Sequence, residues 1–129
     1  MSADQGINAY QQISLQTDIA GATPHQLIVM LFDGAHSALA QAGIWMARGN
    51  IARRGEEVSR AIAIIECGLL ATLDYEKGKT LAQDLANLYR YMIYTLLKAN
   101  LNNDPEAIKH VDALLKKISS AWKEITPQR

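Results

Sequence analysis

One cysteine, three prolines and a single phenylalanine stand among 129 residues, and each scarcity closes off a class of protein. A lone thiol forms neither an intrachain disulfide nor a multi-thiolate zinc site. Its neighbours Ile64, Ile65 and Leu69 predict that Cys67 is a buried, inert thiol. With few prolines and eight glycines, long stretches run without a break. Ala, Leu, Ile, Gln and Lys outweigh Val, Thr and aromatics, which favours helix throughout. Charge of one sign is also missing: thirteen basic and thirteen acidic side chains cancel. The broad basic footprint of a nucleic-acid binder is therefore absent, as is the charge that would hold the chain to an anionic membrane. No stretch approaches the ~18 uninterrupted apolar residues of a membrane span. The leading MSADQGINAYQQISLQTDIAG has no basic region followed by an apolar run, so it does not read as a signal peptide. The expectation is a soluble protein of a reducing compartment that neither enters a membrane nor binds nucleic acid.

What is present is an apolar share of almost half and a charged share of a fifth, the composition of one globular domain. The helix ends are readable. Thr23, Pro24 and Gln26 form a capping box with proline at the first helical position. Gly49 suits a left-handed terminus, and Asn50 can cap the next helix. DYEKGK predicts a polar turn around Gly78, after which Thr80 and Gln83 repeat the capping-box spacing. NNDP closes the third helix, and Asp104 with Pro105 opens the fourth. The predicted helices span residues 24–48, 51–73, 81–101 and 105–125. Residues 1–22 are expected to form a conditionally ordered segment, 23–126 the helical domain and 127–129 a tail. Helices of this length joined by short turns predict an all-α fold, an antiparallel up-down four-helix bundle.

Each helix carries a seam of apolar residues at spacings of three and four, ending in the fourth with Ile108, Val111, Leu115, Ile118, Trp122 and Ile125. The seams leave a surplus. LIVMLF, residues 27–32, points apolar side chains in every direction around a helix. Phe32, Leu39, Ile44, Met46, Tyr89, Tyr91, Tyr94 and Leu97 also lie off the seams. A contiguous apolar strip of this kind marks a binding surface. Ile7, Tyr10, Ile13 and Leu15 are spaced as a weak amphipathic turn, too short to stand alone, that could cover an apolar groove.

The search for chemistry finds none. A di-metal bundle needs Glu-x-x-His on two helices with two further carboxylates. The chain offers Asp33-x-x-His36 once, and Glu106 with His110 at spacing four. His25, His36 and His110 read better as surface or capping residues. The serines lie in no elbow or triad context, and Gly78 stands alone in EKGK, so no phosphate loop is present. No cofactor and no enzymatic activity are expected. An amphipathic partner helix is the natural occupant of spare apolar surface on a helical scaffold.

TPHQLIVMLFDGA, AIAIIECGLLATLDYEKG, LAQDLANLYRYMIYTLLKANLNND and the terminal AWKEI together resemble the flagellar secretion chaperone FliS family, in the same order and with the same turns. The resemblance implies a cytoplasmic chaperone that binds the C-terminal helical segment of flagellin. It would keep flagellin unpolymerised and deliver it to the flagellar type III export gate. On that footing Ile62, Ile65, Leu69, Leu85, Tyr89, Met92 and Leu96 are the candidate hydrophobic pockets. Tyr89 is singled out because a phenol can pack its ring on a client and keep its hydroxyl wet. Asn87 and Asn100 could hydrogen-bond client backbone. Ile7 and Tyr10 match the family's N-terminal Ile-x-Ala-Tyr pattern, implying a groove cover or a dock for the export gate. Two positions depart from the family pattern: Lys79 stands where a second glycine is common, and Arg90 where an acidic residue is frequent. A co-chaperone or regulator remains open as a further partner. The alternatives are a self-associating structural bundle, in its weak form a homodimer, and a di-metal bundle enzyme.

Overall fold

The computed structural model describes residues 21–125, and within them every regular element is helical. The N-terminal candidates Ile7 and Tyr10 lie outside the described residues.

Helix α1 runs Pro24–Ala47. The capping box forms as its spacing predicts: Gln26 N donates to Thr23 Oγ1 at 3.1 Å, and Thr23 N donates to Gln26 Oε1 at 2.8 Å. At the other end Gly49 takes φ 72°, which lets its own N–H reach Met46 O and the Asn50 N–H reach Trp45 O. This left-handed closure satisfies carbonyls that the helix leaves orphaned. Asn50 then caps helix α2, Ile51–Ala63, by accepting from Arg53 N. Helix α2 continues as a π-helical segment, Ile64–Leu70.

The predicted polar turn contains a further helical turn, α3, Tyr75–Gly78, capped by the Asp74 carboxylate on Glu76 N and Lys77 N. The expected Thr80 cap is corrected. Thr80 is the first residue of helix α4, Thr80–Asn102, and Lys79 occupies the cap with no side-chain bond. The reason is local: α3 closes at Gly78, and the chain re-enters helix through Lys79 at φ 50°, ψ −120°. Asn103, left-handed at φ 55°, ends α4. Asp104 then caps helix α5, Pro105–Glu124, from Ala107 N.

Helix α1 packs on α2, on the π-helical segment and on α5, while α4 packs on α5, α2 and the π-helical segment. Side chains show which ends meet. His25 in the first turn of α1 stacks on Trp122 in the last turn of α5. Arg54 near the start of α2 bonds Asn100 and Asn103 at the end of α4. The core is continuous and wholly apolar, with Leu31, Leu39, Val58, Ile65, Met92, Leu96, Val111 and Leu115 fully buried.

Helix α1 is long and apolar enough, by length and composition, to cross a bilayer, with mean hydropathy 1.4 over 18 residues. Packing accounts for that apolarity. Leu31, Phe32, Ala35, Ala38, Leu39, Ala42 and Met46 are buried, and Ile28 and Met30 pack against the same core. Its polar residues reach across to α5, His36 to Asp112 at 2.7 Å and Asp33 to Lys123 at 3.5 Å.

Candidate partner-binding site

An apolar cavity of about 320 Å³ opens where the start of α1, the end of the π-helical segment, α3, the start of α4 and the end of α5 come together. That volume lies in the ordinary range of ligand pockets. Helix α1 contributes Ile28 and Phe32; the π-helical segment and the residues after it contribute Leu69 and Leu73; α4 contributes Leu81, Leu85 and Tyr89; and α5 contributes Ile118 and Trp122. Leu81 is 65% exposed and so stands at the rim. Polar groups are confined to Thr72, Asp74 and Lys77.

Trp122 is locked in place by its neighbour. The indole Nε1 donates to His25 O at 3.2 Å, and His25 Nε2 donates back to Trp122 O at 2.8 Å. The two rings stack with centroids 5.0 Å apart and planes 13° from parallel. Because the only polar atom of the indole is satisfied inside this clasp, the ring serves the cavity as apolar wall.

Tyr89 differs from expectation. It is 3% exposed, and burial pushes its phenol up to about 12. Its ring belongs to the cavity wall and the core, so most of the ring face expected to meet a client is already covered by the chain itself. The other predicted residues divide by depth. Leu69 and Leu85 join Tyr89 in the cavity lining, Leu69 buried and Leu85 half-buried. Ile65, Met92 and Leu96 are core residues with no accessible surface, so they support the site from behind and offer no contact face, contrary to expectation. Ile62 is half-buried against the core. Asn87 lies apart, exposed on α4 in a shallow polar recess with Tyr75, Gln83, Ala86 and Arg90. Asn100 is spoken for: its Oδ1 accepts from Arg54 Nε at 2.9 Å and its backbone oxygen from Arg54 Nη2 at 3.0 Å, tying α4 to α2.

Six large apolar cavity residues escaped the sequence reading as site residues: Ile28, Phe32, Leu73, Leu81, Ile118 and Trp122. All were visible as apolar helix positions. The signal that could have found them is position along the helix, since each lies near the helix end that meets the others when successive helices reverse direction.

The site holds no nucleophile poised for attack. Cys67 is half-buried with its thiol pushed up, first by burial and then by the Glu66 charge. Among the described residues, no three of His, Cys, Asp and Glu converge to hold a metal. What this geometry can do is receive aliphatic and aromatic side chains, each worth ~1.5–3 kcal/mol when fully buried.

Fold and cavity define the class: an all-helical protein whose described residues offer an apolar recess and no catalytic constellation. The family model described as "Flagellar protein FliS" matches residues 6–129. The chain is 50% identical to the flagellar secretion chaperone FliS of Salmonella typhimurium strain LT2 over 128 residues, covering 99% of this chain and 95% of the relative. It is 45% identical to the FliS chaperone of Escherichia coli K12, covering 96% and 91%. With the secretion chaperone FliSB of Pseudomonas aeruginosa it shares 40% identity over 98% and 99%. The chain belongs to the FliS family of flagellar secretion chaperones, whose members are chaperones and not enzymes.

Proposed function

We propose that this chain is a cytoplasmic export chaperone that binds the C-terminal helical segment of flagellin, prevents its premature polymerisation and delivers it to the flagellar type III export gate. The scaffold in this reading is an antiparallel up-and-down four-helix bundle. The observation that carries it is the open apolar cavity between Phe32, Leu73, Leu81, Leu85 and Trp122 in a member of a secretion-chaperone family. A client segment that is unfolded when free would order as it docks, so the buried apolar area has to offset that ordering cost. Residues 1–22, with Ile7 and Tyr10, are a conditional cover for the groove or the dock for the gate.

The test is co-purification with full-length flagellin and with flagellin lacking its C-terminal segment. Retention of the full-length protein alone is expected. Leu81→Asp places a charge on the exposed rim, where it leaves the core intact, and should weaken flagellin binding at least tenfold. Undiminished affinity in that variant, or equal retention of truncated flagellin, overturns the proposal. Light scattering separates the homodimer: a tight dimer whose mass ignores flagellin would favour self-association.

A further inference from the structure

We infer that the opposite end of the molecule, built from the α1–α2 turn and the last turns of α4, is a second docking surface, fitted to an acidic amphipathic helix of a partner protein.

Four cations gather there, and among the described residues none of them has a carboxylate partner. The Arg48 and Arg53 guanidiniums lie over the Trp45 ring, 5.5 and 5.2 Å from its centroid. Lys98 Nζ lies 5.2 Å from the centre of the Tyr94 ring. Arg54 donates to Asn100 Oδ1, Asn100 O and Asn103 Oδ1, at 2.9, 3.0 and 2.9 Å. Every one of these contacts is with a neutral group, so each cation keeps its full charge for another molecule. The nearby acids are engaged or few. Asp104 caps α5, Glu106 pairs with Lys109 at 3.6 Å and Glu57 with Arg60 at 3.7 Å, leaving Glu56 exposed on α2. Aromatic faces and amide oxygens also hold the guanidiniums in fixed places, which lowers the ordering cost of binding.

The cations frame exposed aliphatic surface. Ile51 is 68% exposed, Leu101 83% and Leu97 56%. Tyr94, Leu97 and Leu101 follow one another at spacings of three and four, so they share the outward face of α4. Ile51 precedes Arg54 by three residues, and Arg54 is tied to the end of α4. A helix with its own apolar stripe and flanking carboxylates complements this pattern in both shape and sign.

Charge also selects against other occupants. A second copy docked two-fold would set the same four cations against themselves. An anionic bilayer attracts a protein through its basic charge, and the formal net charge of this chain is zero. The cavity lies at the other ends of the same helices. With α1 at 24 residues and α4 at 23, the two sites are roughly 25–30 Å apart, so both can be filled at once.

The test uses the full chain and a labelled helical peptide of about five turns, leucine along one face and glutamate on its flanks. Controls are a scrambled peptide, a lysine-for-glutamate peptide and phosphatidylglycerol vesicles. Fluorescence anisotropy should show the acidic peptide binding at least tenfold tighter than either control and weakening as salt is raised. Arg48→Glu with Arg53→Glu should cost tenfold or more, as should Leu97→Ser with Leu101→Ser, with circular dichroism unchanged in both. Leu81→Asp should leave this binding intact while weakening flagellin, which separates the two sites. Equal binding of the control peptides, or full binding by both double variants, overturns the inference. So does vesicle capture without peptide preference. Loss of flagellin, with no acidic-peptide binding, in the arginine variant would make this end part of the client groove and equally overturn it.

Discussion

Lys79 sits at φ 50°, ψ −120°, a backbone region that glycine enters freely and a residue with Cβ enters at a cost of ~1–3 kcal/mol. It is also the position where the resemblance leads one to expect a second glycine, so the departure read from the sequence is a conformational one. Lys79→Gly should raise stability by about 1 kcal/mol, after allowing for the extra freedom of glycine in the unfolded chain, and lift Tm by roughly 3–5 °C. A lower Tm in calorimetry would mean that the Lys79 side chain contributes a contact worth more than the strain. At this scale the caps at Thr23, Asn50 and Asp104 were legible, because a cap depends on a few adjacent residues. Thr80 was not, because a cap also needs the preceding residue to leave the helix. Here Asp74 starts a helical turn six residues before Thr80, and Lys79 makes the break instead. Tyr89, Tyr91 and Tyr94 show a second limit. All three are apolar positions of one helix, yet Tyr89 is buried while Tyr91 and Tyr94 are exposed, since the facing helices choose which side is core.

The second long helix changes character halfway. After Ala63 it widens into the π-helical segment Ile64–Leu70, which turns Ile64, Ile65, Gly68 and Leu69 inward. No periodicity signal announces such a widening, because the apolar residues still recur every three or four positions. Its consequence lies at Gly68. A Cβ built there would stand 2.8 Å from Leu31 Cδ2 and 3.1 Å from Leu31 Cδ1. Leu31 is fully buried, so its side chain has nowhere to retreat. Gly68→Ala is thus an overpacking substitution, despite the better helix propensity of alanine. It should lower the denaturation free energy by about 1–3 kcal/mol, read from the urea midpoint. An unchanged or higher midpoint would mean that α1 and the π-helical segment can separate without loss. The same contact tests the approach of elements that shape the cavity, because Leu69 is the next residue along.

The order and approximate ends of the four long helices follow from local pattern, whereas the short helix α3 and the π-helical segment do not, and the cavity draws on residues 28–32, 69–89 and 118–122 at once. No window of sequence contains that juxtaposition; it exists only after the helix ends have met. Tyr89 joins the two scales, since it is both cavity wall and core. An unfolded tyrosine ionises near pH 10, while in the folded chain burial pushes Tyr89 up to about 12. Below pH 10 both states hold the proton and this group leaves stability unchanged. Between 10 and 12 the unfolded chain releases its proton while the folded chain retains it, so stability falls as pH rises, by up to roughly 2–3 kcal/mol. Tyr89→Phe has no proton to lose. Its stability relative to the parent protein should therefore be constant between about pH 7 and 9.5, then improve steadily above pH 10 when both are unfolded in urea. Comparing the two proteins cancels the lysines and other tyrosines that titrate in the same range. Parallel curves would mean that the Tyr89 hydroxyl is hydrated well enough to ionise as in the unfolded chain, placing that edge of the ring at the mouth of the cavity as a direct contact for the client.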